Sequence, residues 1–423
     1  MSQKLNILEN VRSSYKDACD LLGLDQAVYE ILKDPERIIE VSIPIKMDDG
    51  SSKVFKAYRS AHSSALGPSK GGVRFDKNVN ADEVKALSMM MSIKTALLDL
   101  PLGGGKGGIT VDPKKLSERE LESLSRGYVR AINNYLGSRI DVPAPDVNTN
   151  GKIMGYFVDE YMQLNASKQD IATFTGKPLE LGGSLGRDQA TGYGVALAVK
   201  YAYKRKGDNL LNKTFAIQGF GNVGYFTAKY LCEFGAKLLA VNASDSSAKS
   251  GSSAIYCEDG FDPDELKDIR REKATVLAYD KATKISNEEF FALDVDIIVP
   301  AAMENVITEE IAKTVKAKVI AEGANGPTTL KAANYLEGKD ILIIPDILAN
   351  SGGVLVSHYE WIQNQIGYYL SYEMIKKKEK EDMLKVFEQV FDFAENNKVN
   401  LRKASFMKAV AKIAQALKYR GRY

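Results

Sequence analysis

Hydrophobic and polar positions follow both helical and strand periods along the first 185 residues. Apolar side chains recur at helical spacing between Leu21 and Leu32, and again from residue 81 to residue 98, so a helix is predicted in each place. Residues 38–45 and 54–59 are rich in β-branched and aromatic residues and flank a turn signal. They predict a β-hairpin. The pattern therefore indicates an α/β region that ends near residue 185.

Two stretches of this region fit neither period. Residues 101–108 read Pro-Leu-Gly-Gly-Gly-Lys-Gly-Gly, which predicts a glycine-rich loop around Lys106. Residues 140–146 read Ile-Asp-Val-Pro-Ala-Pro-Asp. That stretch holds too much proline for a central strand, so we expect an ordered loop there.

The pattern changes after residue 185. Between residues 186 and 350, short apolar runs alternate with helical stretches, which predicts a doubly wound parallel sheet. The predicted strands are residues 214–217, 237–241, 295–299, 319–321 and 341–344. Residues 351–423 show a helical pattern only. The fold class is thus α/β, with two domains followed by a C-terminal helical segment.

Composition narrows the class of protein. The net charge of +2 points to neither a nucleic-acid nor a membrane partner. The three cysteines lie far apart without CxxC spacing, and the first residues form no apolar signal core, so we expect a cytoplasmic protein without a zinc site. Only His62 and His358 are present, which disfavours a Ser-His-Asp triad or a histidine-rich metal site. Lysine and carboxylate chemistry becomes the better expectation.

A dinucleotide-binding fingerprint follows the strand predicted at residues 214–217. The stretch 218–224 reads Gln-Gly-Phe-Gly-Asn-Val-Gly and opens a predicted helix. In this context Gly219 permits a tight turn, Gly221 lets the backbone approach a pyrophosphate, and Gly224 allows the helix to pack closely on the strand. The first turn of the helix, with Asn222 and Val223, then offers free N–H groups to the phosphates.

The choice between NAD and NADP depends on the residues after the next strand. Asp245 is the candidate partner of the ribose hydroxyls, although it lies slightly beyond the expected strand end. Ser244, Ser246, Ser247 and Lys249 could instead accommodate a 2′-phosphate. We favour NAD, with NADP as the alternative.

Lys106 is a candidate for proton transfer. Glycine neighbours let backbone and substrate approach closely, and burial beside other cations would lower the lysine pKa. A phosphate-binding loop is excluded because Gly107, rather than Ser or Thr, follows the lysine. Lys70, in a second glycine-flanked stretch, and Lys94, on the predicted helix before residue 101, could complete a cationic pocket for a small anion. Asp146 would supply one carboxylate nearby.

Together these motifs resemble the glutamate dehydrogenase branch of the Glu/Leu/Phe/Val dehydrogenase family. The matching stretches are residues 67–75, 102–108, 143–149, 218–224, 322–328 and 350–357. They run in the family's order over nearly the whole chain. The resemblance implies a substrate-binding and oligomerisation domain over residues 1–185 and a Rossmann-type nucleotide domain over residues 186–350. It also implies that residues 351–423 return to the first domain and that the protein is a homohexamer.

The resemblance also implies roles for individual residues. Lys106 would be the catalytic lysine and Asp146 the carboxylate that transfers protons. Lys94 would bind the substrate α-carboxylate, whereas Lys70 and Ser357 would bind its side-chain carboxylate. Thr191 and Asn222 would contact the cofactor, and Asn325 would lie near the nicotinamide.

The implied activity is reversible oxidative deamination of L-glutamate to 2-oxoglutarate and ammonia with a nicotinamide cofactor. Lys70 and Lys94 would also supply the field that lowers the pKa of Lys106. A leucine or phenylalanine enzyme needs an apolar side-chain pocket, and an unpaired buried cation there would be costly, so Lys70 and Ser357 favour glutamate. The alternatives are an amino-acid dehydrogenase with another side-chain preference and a nucleotide-binding regulator without turnover.

Overall fold

A computed structural model describes residues 7–166, 169–244 and 252–423. The chain divides into two compact units. The first comprises residues 1–185, 356–375 and 403–423, and the second comprises residues 186–355 and 376–402. Within the described ranges, none of the helices combines the length and the apolar composition needed to cross a membrane.

The first unit begins with two helices and a five-stranded sheet. In chain order its elements are α1 (Ile7–Leu21), α2 (Gln26–Leu32), β1 (Arg37–Lys46), β2 (Ser52–Ala61), β3 (Ser69–Asp76), α3 (Ala81–Leu97), β4 (Gly103–Thr110), α4 (Glu118–Ile132), β5 (Asp141–Pro145) and α5 (Gly151–Leu164). The helical prediction between Leu21 and Leu32 is confirmed for residues 26–32 but does not hold as one continuous helix. Leu21 ends α1, residues 22–25 connect the two helices, and Asp25 caps α2 by accepting a hydrogen bond from the Ala27 N–H at 2.8 Å.

The sheet of the first unit has the strand order β1-β2-β4-β3-β5. Strands β1, β2 and β4 are antiparallel neighbours, whereas β3 runs parallel to both β4 and β5. Helices α4 and α5 cover one face, where the buried core includes Phe75, Tyr128 and Phe157. Helix α3 packs on β4. A β-carbon on Gly104 would overlap the backbone of Ser88 and Ser92, so glycine allows this close approach.

Two loop predictions are therefore wrong. The glycine-rich stretch around Lys106 is β4, which lies between β2 and β3. The proline-rich stretch supplies β5, which lies at the sheet edge and pairs with β3. Proline is tolerated there because an edge strand has a neighbouring strand on one side, so a missing N–H on the other side costs no hydrogen bond between strands.

The second unit is built on a seven-stranded sheet. Its elements are α6 (Arg187–Arg205), β6 (Thr214–Gln218), α7 (Asn222–Glu233), β7 (Lys237–Ser244), β8 (Ser252–Tyr256), α8 (Pro263–Lys273), β9 (Thr283–Ile285), α9 (Asn287–Phe291), β10 (Ile297–Pro300), α10 (Glu309–Thr314), β11 (Val319–Ala321), α11 (Leu330–Glu337), β12 (Leu342–Ile344) and α12 (Asp346–Ala349). Its buried core includes Phe290, Phe291 and Ile298.

The order of this sheet is β12-β11-β10-β6-β7-β8-β9. The chain winds outward from β6 on one side and returns to β10 on the other, so the predicted doubly wound fold is confirmed. The strands from β12 to β7 are parallel, but β8 and β9 add an antiparallel edge that the sequence pattern did not predict. The carboxyl ends of β6 and β10 lie at the point where the strand order reverses, and folds of this kind bind ligands there.

Three helices complete the chain: α13 (Gly352–Ile366), α14 (Tyr372–Asn397) and α15 (Leu401–Tyr419). The whole of residues 351–423 was expected to return to the first domain, but residues 376–402 group with the second unit. In that unit Met383, Val386 and Phe387 are buried, and the Phe387 ring lies 6.0 Å from the Tyr201 ring on α6. An apolar face buried against α6 keeps this part of α14 in the second unit.

Candidate active site

Lys106 and Asp146 form a buried ion pair in the first unit. Lys106 lies on β4 and Asp146 directly follows β5, with β3 between the two strands. The Lys106 Nζ is 2.7 Å from the Asp146 Oδ2, and the side chains are 7% and 16% exposed. Gly72 on β3 leaves room for this contact, because a β-carbon there would be 2.7 Å from the Asp146 Cβ. The structure thus brings together the two residues that the sequence assigned to proton transfer.

Arg74 is a second cation at the same carboxylate, and no role was predicted for it from the sequence. Its Nε lies 3.2 Å from the Asp146 Oδ2, and its Nη1 pairs with Glu83 on α3. Side chains of a strand alternate between two faces, so Lys70, Gly72 and Arg74 share one face of β3. That alternation, applied to the stretch 67–75, is the signal that could have identified Arg74.

The pKa of Lys106 is lowered from its ordinary value. Burial is the main cause, the positive charge of Arg74 adds to it, and the carboxylate of Asp146 opposes it. For Asp146, burial by itself raises the pKa, but Lys106 and Arg74 outweigh burial and the net shift is downward. Arg74 is therefore the cation that lowers the pKa of Lys106 together with burial. From the sequence we expected Lys70 and Lys94 to have this effect.

The three residues predicted to bind the substrate carboxylates are all buried in the first unit. Lys70 on β3 is 2% exposed and donates from Nζ to the Thr175 Oγ1 at 2.5 Å. Lys94 lies in the last turn of α3 and is 9% exposed, and Ser357 on α13 is 2% exposed. Thr175 follows no recognisable pattern in the sequence, so its contact with Lys70 appears only in the structure.

A buried guanidinium lies across the sheet beside β4. Arg59 on β2 forms two hydrogen bonds with the Asp141 carboxylate, from Nε at 2.8 Å and from Nη2 at 2.5 Å. It also donates to the Gly71 carbonyl at 3.1 Å. A β-carbon on Gly105 would be 3.2 Å from the Arg59 Nη2. The glycines of β4 therefore leave space for an ion pair that joins β2, β3 and β5.

The fingerprint of the second unit has the geometry that a dinucleotide requires. Gly219 has φ of +90°, and a β-carbon on Gly224 would overlap the Gly219 carbonyl oxygen. Gly221 faces open space among the described residues, since a β-carbon there meets none of their atoms within 4 Å. Helix α7 begins at Asn222, and no side chain in the described part of the chain caps it, so its first N–H groups face this space. These residues fit the pyrophosphate of NAD.

The other predicted cofactor residues are spread over the second unit. Asn222 is exposed and donates from Nδ2 to the Asp188 carbonyl, and Val223 follows it in the first turn of α7. Thr191 lies on α6, and its hydroxyl would collide with a β-carbon on Gly353. Asn325 is exposed and accepts a hydrogen bond from the Asn350 Nδ2 at 3.0 Å. Asp245 lies outside the described residues.

A charge cluster with two buried carboxylates holds the loop that carries Asn325, and sequence analysis did not identify it. Asp346 accepts a hydrogen bond from the Gly326 N–H at 2.9 Å, and Glu322 accepts one from the Asp346 N–H at 2.9 Å. Arg402 pairs with both carboxylates. Glu322 stands in the stretch 322–328 quoted above, but only the fold shows that Asp346 and Arg402 join it. Among the described residues, no group of three or more His, Cys, Asp or Glu side chains could hold a metal ion.

Two family profiles match the chain. The profile described as Glu/Leu/Phe/Val dehydrogenase, dimerisation domain, matches residues 35–163. The profile described as Glutamate/Leucine/Phenylalanine/Valine dehydrogenase matches residues 182–421. The two profiles thus span most of the chain.

Individual relatives are similar over their whole length. The chain is 54% identical to the NAD-specific glutamate dehydrogenase of Peptoniphilus asaccharolyticus, over 100% of both chains. It is 49% identical to the NAD-specific glutamate dehydrogenase of Clostridioides difficile, over 99% of both. The crystal structure of the Peptoniphilus enzyme superposes with a TM-score of 0.88 at 53% identity, over 99% of this chain and 100% of that one.

A solved structure of lower identity agrees. The hetero-hexameric glutamate dehydrogenase from Thermus thermophilus, in its Leu bound form, superposes with a TM-score of 0.93 at 32% identity. The superposition covers 100% of this chain and 99% of that one. The family that the motifs predicted is confirmed: this chain belongs to the Glutamate/Leucine/Phenylalanine/Valine dehydrogenase family.

Proposed function

We propose that this chain catalyses the reversible oxidative deamination of L-glutamate to 2-oxoglutarate and ammonia, with NAD as cofactor. The observation that carries the proposal is the buried Lys106–Asp146 pair, with Lys70 buried in the same unit. The names of the two similar NAD-specific glutamate dehydrogenases support both the substrate and the cofactor.

Asp146 acts as the proton acceptor. Oxidation at the substrate Cα requires a neutral amine, because an ammonium group has no lone pair to stabilise the developing imine. Lys106 and Arg74 keep Asp146 ionised by lowering its pKa, so the carboxylate is ready to take a proton from the substrate. Bound NAD supplies the hydride acceptor.

Lys106 acts in the hydrolytic half of the reaction. Its pKa is lowered toward the working pH, so a larger fraction of Lys106 is present as the neutral amine. The neutral amine can take a proton from the water that attacks the imine. As an ammonium it can stabilise negative charge that develops on oxygen. The same residue can therefore serve both directions of the reaction.

Lys70, Ser357 and Lys94 bind the two carboxylates of glutamate. Lys70 and Ser357 hold the side-chain carboxylate and Lys94 holds the α-carboxylate, which together orient the Cα. A buried ammonium at Lys70 disfavours an aliphatic side chain, because such a side chain would leave the charge without its anionic partner. This is the reason to prefer glutamate over leucine.

In this proposal, the first unit is the substrate-binding and oligomerisation domain, and the second unit binds the dinucleotide. Gly219, Gly221, Asn222, Val223 and Gly224 approach the pyrophosphate. Thr191 and Asn325 contact the cofactor, and Asp245 holds the ribose hydroxyls. NADP remains the alternative cofactor.

The proposed assembly is a homohexamer in the cytoplasm. The hetero-hexameric Thermus relative supports six subunits, and the three free cysteines, Cys19, Cys232 and Cys257, fit a reducing compartment. Light scattering on the purified protein should give about six times the mass of one chain. A monomer or dimer at working concentration would contradict the hexamer.

A spectrophotometric assay tests the proposed activity. Coenzyme reduction is followed with glutamate, leucine and phenylalanine, each with NAD and with NADP. We expect kcat/KM to be highest for glutamate with NAD. Leucine oxidation at a comparable rate would refute the substrate, and a clear preference for NADP would refute the cofactor.

A further inference from the structure

Glu360 is a fully buried carboxylate that the proposed chemistry does not use. It lies on α13, one helical turn after Ser357, and its side chain is 0% exposed. Its Oε2 accepts a hydrogen bond from the Gly176 N–H at 2.8 Å, and its Oε1 accepts one from the Lys177 N–H at 3.3 Å. The Lys177 Nζ completes the set at 2.8 Å from Oε1.

These contacts fix the backbone on both sides of Thr175. Lys177 also donates from Nζ to the Phe174 carbonyl, so one side chain joins residue 174 to Glu360. The Thr175 N–H donates to the Pro143 carbonyl of β5 at 3.1 Å. Residues 174–177 are therefore held between α13 and the strand that precedes Asp146.

Thr175 in turn contacts Lys70. The Thr175 hydroxyl is 0% exposed and accepts from the Lys70 Nζ at 2.5 Å. A lysine side chain has four rotatable bonds, so its ammonium points in one direction only if a neighbour fixes it. The geometry thus connects Glu360 to Lys70 through the backbone of residues 175–177.

Stability alone is a poor explanation for a charge at this place. Burying an ion pair costs desolvation energy, and apolar side chains of similar volume usually stabilise a fold at least as well. The carboxylate instead fixes the positions of its partners, since it accepts hydrogen bonds from two backbone N–H groups and one ammonium at once.

We propose that Glu360 is a positioning residue for substrate selectivity, which orients Lys70 toward the side-chain carboxylate of the substrate by fixing Thr175. The inference rests on the proposed function, because it takes Lys70 as the group that distinguishes glutamate from an uncharged amino acid. It adds a residue that touches neither substrate nor cofactor.

The test compares two substrates of the same length. Norvaline has a methyl group where glutamate has its side-chain carboxylate, so the ratio of the two kcat/KM values reports on Lys70. For Glu360→Gln we expect this ratio to fall about tenfold, mainly through a higher KM for glutamate, while the KM for NAD is unchanged. Thr175→Val should lower the ratio in the same way.

A second variant tests whether misfolding of Glu360→Gln explains the result. Glu360→Gln leaves the Lys177 ammonium buried without its partner, so the double variant Glu360→Gln/Lys177→Met removes both charges and should give the same fall in ratio. The matched control is Trp361→Phe on the same helix, which removes a hydrogen bond to the Ser138 carbonyl of 2.9 Å. The control should keep the wild-type ratio.

The outcomes separate this inference from the proposed function. If the wild-type protein does not oxidise glutamate, the proposed function fails. If wild type is active but the Glu360 variants keep the ratio, or if neither variant folds, Glu360 is a structural residue and the inference is overturned. A similar fall in the Trp361→Phe control would also overturn it.

Discussion

The Lys106 ammonium lies 2.7 Å from the Asp146 carboxylate, although a whole strand separates β4 from β5. Gly72 on the intervening β3 has no side chain to block the contact. The pair is thus a product of sheet order and of glycine at one position. It places an acid and a base within one hydrogen bond of each other.

Replacement of Lys106 by methionine should abolish most of the activity. Methionine keeps the apolar part of the side chain but cannot transfer a proton or stabilise an oxygen anion. We expect kcat for glutamate oxidation to fall by roughly 10³-fold or more. The KM for NAD, measured on the residual activity, should stay near the wild-type value. Retention of more than a tenth of wild-type kcat would contradict the role of Lys106.

Replacement of Arg74 by glutamine should move the pH–rate profile. Arg74 lowers the pKa of Lys106, so its removal raises that pKa toward the ordinary value. In the proposed mechanism the neutral amine of Lys106 accepts a proton in the oxidative direction, so the rising limb of kcat/KM should shift to higher pH. Its position is measured by assaying glutamate oxidation across the alkaline range.

A matched control for this shift lies on the surface of the same unit. Arg119→Gln removes an exposed arginine that pairs with Asp48. Its profile should coincide with that of wild type. An unchanged profile in Arg74→Gln would show that Arg74 does not control the titration.

Two glycines of the fingerprint should respond differently to alanine. At Gly221 the added methyl group enters open space, so the fold is kept but the approach of a pyrophosphate is hindered. We expect the KM for NAD to rise about tenfold with little change in melting temperature. At Gly224 the methyl group would overlap the Gly219 carbonyl oxygen, so Gly224→Ala should lower the melting temperature. Equal effects of the two variants would contradict the assignment.

His62 should make the protein less stable in mild acid. Burial lowers its pKa from 6.5 to about 4, and its ring contacts the Ser92 hydroxyl and the Leu32 carbonyl. Between these two pKa values, His62 therefore binds a proton in the unfolded chain but stays neutral in the folded chain. The contribution of His62 to the free energy of unfolding is complete above pH 6.5 and falls by about 3 kcal/mol as the pH decreases to 4.

Urea unfolding at a series of pH values tests this prediction. In His62→Gln the titrating group is absent, so the free energy of unfolding should depend less on pH over this range. The wild-type protein and the variant are compared at pH 7 and pH 5. Parallel pH dependence in the two proteins would exclude His62 as the cause.

Sequence reasoning succeeded where local patterns carry the structure. The strands β1 and β2, helix α3 and the turn between Gly219 and Gly224 follow from periodicity and from a motif in its expected context. The stretch around Lys106 was misjudged because glycine has a low strand propensity. Its strand conformation comes from pairing with β2 and β3 and from contact with α3, which no local pattern reveals.

The same limit applies to the candidate site. Lys106 and Asp146 were identified because each lies in a distinctive stretch, but Arg74, Thr175 and Glu360 were not. The proposed roles of these residues depend on contacts with partners 72, 105 and 184 positions away in the chain. Contacts at such separations are set by the order of strands, which periodicity predicts only coarsely.

The Arg59–Asp141 pair restricts how this site can be redesigned. A β-carbon on Gly105 would lie 3.2 Å from the Arg59 Nη2, and one on Gly107 would overlap the Tyr128 hydroxyl and lie 3.2 Å from the Arg59 Cδ. Enlarging either glycine while the arginine remains would create a steric conflict, and truncating the arginine would remove the two hydrogen bonds that it donates to the buried Asp141 carboxylate. An engineer who wishes to change substrate preference should therefore vary the helices that border the sheet and leave the sheet itself untouched.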